Sequence, residues 1–332
     1  MERVRQLKVR RLTRADLDPV VALDAALSGR TRRAYFERRL AAALRQPELH
    51  VQYAVEEEGV LCGYALARVL EGEFGLARPA LRLEVIGVRS DAQGRGVGRA
   101  LHGALEQEAG QRAVGEIRTV AGWRDHAMLG FLGRLGYALA PSLVLECARL
   151  STLEETPPEP RVRRSPGDPN DFSALAADDF EKLARDAVHV RLLTASDFDE
   201  LVCIDRRVSG RDRHAYMRHA LDEALRESGV RVSLAAIMDG VMAGFIMAHA
   251  DLGDFGRTEP VAIIDAIGVD PDYQREGAGQ ALLSQLFLNL AALRVERVET
   301  VVAMQNLELL GFFHGAGFAP GQRLAFVKQG GR

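Results

Sequence analysis

The chain has 332 residues, with 43 Lys and Arg against 46 Asp and Glu, a formal net charge of −3, 47% hydrophobic and 27% charged residues. That length suggests two domains, each long enough to bury a core, and the composition excludes disordered, collagenous and coiled-coil chains. Near-neutral charge argues against a dedicated nucleic-acid binder. Three cysteines argue against a disulfide scaffold and suit a reducing cytoplasm, and no apolar run reaches the ~18 residues of a membrane span.

Taken in chain order, residues 8–12 predict a short strand. Thr13 and Asp16 then read as a cap and first-turn carboxylate opening a helix to about residue 27. Ser28-Gly29-Arg30 breaks it, and a second helix follows over 31–44. Strands over 51–55 and 60–70 flank the turn Glu56-Glu57-Glu58-Gly59, and 81–88 is another strand. A glycine-rich loop comes next. The helix over 97–111 places Leu101, Leu105 and Ala109 on one face. A strand over 116–121, a helix over 125–135 closed by Gly136, and strands over 137–147 complete the unit. Residues 151–171 hold Pro157, Pro158, Pro160, Pro166 and Pro169, a linker composition, and 172–188 has helical spacing. The basic N-terminus has no apolar run behind it and does not read as a signal peptide.

The whole pattern then recurs at a constant offset of 181 residues. Val9-Arg10 and Leu12-Thr13 match Val190-Arg191 and Leu193-Thr194. Asp24 matches Asp205, and Ser28-Gly29-Arg30 matches Ser209-Gly210-Arg211. Arg32, Ala34 and Tyr35 match Arg213, Ala215 and Tyr216, and Phe74-Gly75 matches Phe255-Gly256. Ile86-Gly87-Val88 matches Ile267-Gly268-Val269, and Gly130-Phe131 matches Gly311-Phe312. One offset without gaps means duplicated domains: 1–150, a linker and connecting helix over 151–188, and 189–332. The element order predicts an α+β, layered fold on a mixed, mostly antiparallel sheet flanked by helices.

The loop Gln93-Gly94-Arg95-Gly96-Val97-Gly98 recurs as Gln274-Arg275-Glu276-Gly277-Ala278-Gly279. Each follows a strand and opens a helix. Glycine permits positive φ and close approach, and the first-turn N–H groups with the helix dipole favour an anion such as pyrophosphate. No Gly-Lys-Ser/Thr follows, so it is not a P-loop. It also lacks the G-x-G-x-x-G dinucleotide pattern.

With these loops, the strand-and-turn entries Ile86–Asp91 and Ile267–Tyr273, and the helix ends Gly136-Tyr137 and Gly317-Phe318, each half resembles a GNAT domain, the Gcn5-related N-acetyltransferase family. The resemblance covers about 8–148 and 189–328. It implies a sheet splayed between its fourth and fifth strands, with acetyl-CoA (coenzyme A) in the splay. The pyrophosphate is expected on backbone N–H groups of Gly94, Arg95, Gly96, Val97, Gly98 and Arg99, or of Arg275, Glu276, Gly277, Ala278, Gly279 and Gln280. Ile86 and Val88, or Ile267 and Val269, would meet the acyl arm beside Gln93 and Gln274. The implied reaction is transfer of acetyl to a primary amine of a small molecule or peptide.

The chain also departs from that family. The tyrosine that many members use as acid is replaced by Leu132 and Phe313, and the helix-opening asparagine, which the resemblance implies is a cofactor contact, survives as Asn306 but is Asp125 in the first half. Glu84 and Asp265 occupy equivalent strand positions, as candidate bases or as ordinary strand residues. Arg30, Tyr35, Arg211 and Tyr216 are candidate acceptor contacts, or members of a helix–helix junction that includes Asp24. Other readings are a non-catalytic acyl-CoA sensor or scaffold, one catalytic half only, or another phosphoryl-ligand protein. The linked halves read as an internal pseudo-dimer, with a homodimer open. Cys62, Cys147 and Cys203 read as buried thiols, and the eight histidines show no metal-ligand spacing.

Overall fold

The computed structural model describes residues 7–70, 79–148, 188–226, 232–251 and 261–330. Phe74-Gly75, Phe255-Gly256, the proline-rich stretch and all but the last residue of the expected connecting helix lie outside the described residues. The first copy runs β1 (Lys8–Arg11), α1 (Leu17–Ser28), α2 (Arg33–Arg45), β2 (His50–Glu57), β3 (Val60–Leu70), β4 (Ala80–Val88), α3 (Val97–Gln111), β5 (Glu116–Gly122), α4 (His126–Arg134), β6 (Ala138–Leu139) and β7 (Ser142–Cys147). The second runs β8 (His189–Leu192), α5 (Phe198–Ser209), α6 (His214–Arg226), β9 (Leu234–Met238), β10 (Val241–Asp251), β11 (Val261–Val269), α7 (Ala278–Ala292), β12 (Arg297–Ala303), α8 (Leu307–Gly315), β13 (Ala319–Pro320) and β14 (Arg323–Gln329).

Local chemistry sets the boundaries of these elements. The entry to α1 is fixed by Asp16, which accepts from Thr13 N at 2.7 Å and from Arg10 at 2.8 and 2.6 Å. Arg10 and Thr13 hold that carboxyl down at about 2, against the opposing effect of burial. Thr194, Asp197 and Arg191 repeat the arrangement before α5. Both helices stop at a left-handed glycine, Gly29 at φ 73° and Gly210 at φ 68°.

Each sheet has seven strands. The first is ordered β1-β2-β3-β4-β5-β14-β6 and the second β8-β9-β10-β11-β12-β7-β13. Only β4/β5 and β11/β12 are parallel; every other neighbour is antiparallel. Strand β7 therefore lies in the sheet of the second copy, and β14 in that of the first. The exchange is symmetric: Ser142 pairs Ala303, and Arg323 pairs Gly122. The division of the sequence at 150 does not anticipate it. Both strands have the same register and pattern, so sequence alone does not say which copy each one joins.

Apolar side chains fill both faces of each sheet. In the first sheet Val20, Phe36 and Leu66 form the core beneath α1 and α2, while Leu83, Leu101 and Leu105 form the one beneath α3. The second sheet repeats this with Leu201, Met217 and Phe245, and with Leu282, Leu286 and Phe313. A smaller cluster of Ala140, Val144 and Ala325, with Val120 and Val301, packs where the exchanged strands meet. Arg68 on β3 adds a two-pronged ion pair to Glu223 on α6, at 2.6 Å on each arm.

Candidate active site

The site begins where a parallel pair fails to stay together. Strands β4 and β5 pair only at Leu81 with Ile117 and Arg82 with Arg118, then diverge. Strands β11 and β12 pair from Val261 to Ile263 and likewise part. A threonine takes over the ladder at each parting: Thr119 Oγ1 donates to Leu83 O at 2.9 Å, and Thr300 Oγ1 to Ile264 O at 3.0 Å. Sequence reasoning missed these threonines, although the repeat offset aligns them.

A bulge sits at the same depth. Between β3 and β4 the register passes from Leu66–Val85 to Ala67–Leu83, which leaves Glu84 unpaired as the extra residue. Between β10 and β11 it passes from Met247–Ala266 to Ala248–Ile264, leaving Asp265. Beyond the bulge, Arg89 N donates to Cys62 O and Asp270 N to Ala243 O, both toward the neighbouring antiparallel strand. Alternation along a strand then turns the N–H groups of Ile86 and Val88, and of Ile267 and Val269, into the splay.

The glycine loops sit at the open end. Gly94 and Gly96 take φ of 75° and 88°, and Gly277 takes 88°. Arg275 stands where the first loop has Gly94 and is held at φ 67°, a conformation that costs a non-glycine residue about 1 kcal/mol or more. A Cβ at Gly94 or Gly96 would meet no atom within 4 Å. Among the described residues no backbone N–H of 94–99 or 275–280 donates a normal hydrogen bond. Gln93 Nε2 donates to Val88 O at 3.1 Å and ties the loop to the strand end. Arg95 donates to Asp91 O at 2.7 Å and pairs with Glu57 at 3.3 Å; Arg99, Gln274, Glu276 and Gln280 are exposed. Gly98 and Gly279 are needed for packing, because a Cβ would come within 2.9 Å of Phe131 and 3.1 Å of Phe312.

The two carboxylates have diverged. Glu84 is buried and accepts from Arg39 Nε at 2.6 Å, while Arg39 also donates to Ala67 O across the bulge at 2.7 Å. The pair ties α2 to β4. The second copy has Ala220 in place of Arg39, and Asp265 instead pairs with His249 Nδ1 at 2.5 Å. Burial works to raise the Asp265 carboxyl, but the charge and hydrogen bond of His249, with Arg68 and Arg82 nearby, hold it below the ordinary aspartate value. Both side chains of this pair are half-buried.

The remaining expected residues are placed as follows. Arg32 and Asp24 form a buried two-pronged pair, and Tyr64 Oη donates to Asp24 at 2.6 Å. Tyr35 is buried beneath the Arg32 guanidinium, 5.6 Å from ring centroid to carbon. Arg213, Asp205 and Tyr216 repeat this, with Tyr216 5% exposed. Arg30 and Arg211 are exposed at the helix junctions. Asn306 and Asp125 both cap a helix, accepting from Leu309 N at 3.1 Å and Met128 N at 3.0 Å. Leu132 and Phe313 are fully buried in apolar cores, so neither helix presents an acid there. Cys62 and Cys147 are buried, but Cys203 is exposed, correcting the expectation of three buried thiols. It falls on the outer face of α5, between the inward-facing Val202 and Ile204.

Two stretches of the sequence, residues 19–137 and 197–318, match the Acetyltransferase (GNAT) family. The chain belongs to the GNAT family. Its two copies make it a tandem GNAT protein, and the two splayed seven-stranded sheets are a duplicated GNAT fold. Solved structures with the same fold include a tandem GNAT protein from the clavulanic acid biosynthesis pathway, 16% identical, covering 98% of this chain and 99% of that one, with a TM-score of 0.63. A GCN5-related N-acetyltransferase from Sphaerobacter thermophilus is 17% identical, covering 97% and 95%, with a TM-score of 0.57. A GCN5-related glucosamine N-acetyltransferase region of a fungal multi-domain GH3 β-N-acetylglucosaminidase is 14% identical with a TM-score of 0.61; the match covers 97% of this chain and 38% of that one. At these identities the likeness is one of fold alone. No curated protein matches the sequence. Among the described residues no helix of this GNAT protein is long and apolar enough to cross a membrane, and no group of three or more His, Cys, Asp or Glu could hold a metal ion.

Proposed function

We propose that this GNAT protein transfers acetyl from acetyl-CoA to a primary amine, and that the second copy is the catalytic one. The observation that carries the reading is the pair of loops whose N–H groups are unspent beside a splayed sheet. Positive-φ glycines open onto free space there, which suits a pyrophosphate drawn close to the backbone. When bound, acetyl-CoA supplies a thioester whose C–S bond breaks as the amine nitrogen forms the amide.

The chain's own residues then have distinct tasks. Residues 94–99 and 275–280 hold the phosphates. Gln93 braces its loop. The N–H of Val88 or Val269, turned into the splay, would favour the charge that develops on an acyl oxygen held there. The amine must lose its proton to attack, and the Asp265–His249 pair receives it as a unit. Glu84 is committed to Arg39, so the first copy serves as an acyl-CoA-binding partner without a matching base. Leu132 and Phe313 offer no proton at the expected acid positions, and the CoA thiol, with a pKa near 8.5 by analogy with cysteine, would not need one from them to leave. We assign the protein to the cytoplasm, in keeping with its unpaired thiols. The reciprocal strands support an internal pseudo-dimer.

Native mass spectrometry with acetyl-CoA, followed by CoA thiol release over a panel of amines and peptides, tests the reading. Two bound molecules and turnover that falls at least 100-fold in Asp265→Asn are expected. Binding with no release on any amine would leave a sensor or scaffold. No binding would remove acetyl transfer altogether.

A further inference from the structure

A cavity of about 80 Å³ lies between the two sheets, next to both points of parting. One wall carries Arg82, Arg118 and Thr119 of the first sheet. The other carries Ile264, Asp265 and Val301 of the second. The exchanged strands β7 and β14 close it from the side. Neither copy owns it alone.

The duplication is broken at this cavity. Arg82 stands where the second copy has Ile263, and Arg118 where it has Glu299. Asp265 keeps company with His249, where its equivalent Glu84 is sealed by Arg39. The result is an asymmetric space, with two guanidinium side chains on one wall and Asp265, paired with His249, on the other. Arg82 and Asp265 line the same cavity. Arg118 gives its Nε to Glu116 at 2.6 Å, which uses one of the five N–H donors of a guanidinium. A planar guanidinium fork suits a carboxylate. A volume of this size admits about half a dozen heavy atoms.

We infer that the acceptor is a small primary amine that itself carries a carboxylate, an amino acid in chemical type, held across this cavity with its nitrogen toward Asp265 and its carboxylate toward Arg82 and Arg118. This rests on the acetyl-transfer reading above and names its substrate class. The first copy then contributes by gripping what the second copy acetylates.

The test compares matched pairs in the intact protein: glycine with methylamine, and alanine with ethylamine. CoA thiol release is read as kcat/KM, corrected for the unprotonated fraction of each amine. The acid of each pair is expected to exceed its amine by about tenfold or more, as an ion-paired hydrogen bond predicts. In Arg118→Ala that preference collapses, and Arg118→Lys restores part of it. Acids no better than their amines in the wild-type protein would overturn the inference and leave acetyl transfer standing. If acetyl-CoA binds but no amine turns over, acetyl transfer fails instead. The acceptor role falls with it, and calorimetry then tests the site alone: heat from alanine titrated into CoA-loaded protein, lost in Arg118→Ala, upholds the cavity as an amino-acid site, and no heat overturns that as well.

Discussion

Glu84 and Asp265 occupy the same bulge in two copies and keep different company. Removing one partner of a buried ion pair strands the other charge, so Arg39→Ala should cost about 3–5 kcal/mol, read as a lower urea midpoint. Glu108 offers a pH test. Burial would raise its carboxyl, but Arg11, Tyr53 and Arg112 hold it at about 2. A carboxyl depressed on folding adds stability that is whole above its unfolded value and disappears as pH falls through the folded one. The stability advantage of wild type over Glu108→Gln should therefore be full above about pH 4.5 and shrink toward pH 2, as thermal melts across that range would show. The repeat offset made the positions of Glu84 and Asp265 legible in the sequence. Their partners were not, because Arg39 and His249 reach them through a bulge and a helix packing that no local pattern records. The same holds for Tyr35 and Tyr216, whose recurrence fits packing and binding equally well until burial is seen.

Among the elements, the loop and the helix it opens form the most legible part. Spacing alone placed α3 at its observed bounds, and the glycines at 94, 96 and 277 take the positive φ their residue type permits. Gly96→Glu should reduce bound acetyl-CoA from two to one by native mass spectrometry, since a charged side chain at that φ enters the open space we propose for phosphate. Gly98→Val acts differently. Its Cβ would press on the Phe131 ring, which must move, and the variant should melt lower even without ligand. The bulges were not legible, because they depend on how two strands share a register. Nor was the threonine that covers each parting, since Thr119 and Thr300 read as ordinary strand residues until Leu83 and Ile264 are seen to lack a backbone partner there.

For the whole molecule, the two copies were plain in the sequence and their exchange of strands was not. Deleting residues 321–332 tests that exchange. It should strip the partner from β5, and the amides of 116–122 should lose hydrogen-exchange protection although they lie some 200 residues upstream of the cut. Strands β11 and β12 should keep theirs, because β7 remains in place. The exchange also sets the order of events during synthesis. The first copy emerges from the ribosome with the inner flank of β5 bare, and the strand that covers it is made some 200 residues later. Until β14 leaves the exit tunnel the first sheet has an open edge at β5, exposed to pairing with neighbouring nascent chains. The delay between making β5 and making β14 is then a term in how much of the newly made protein reaches its folded form.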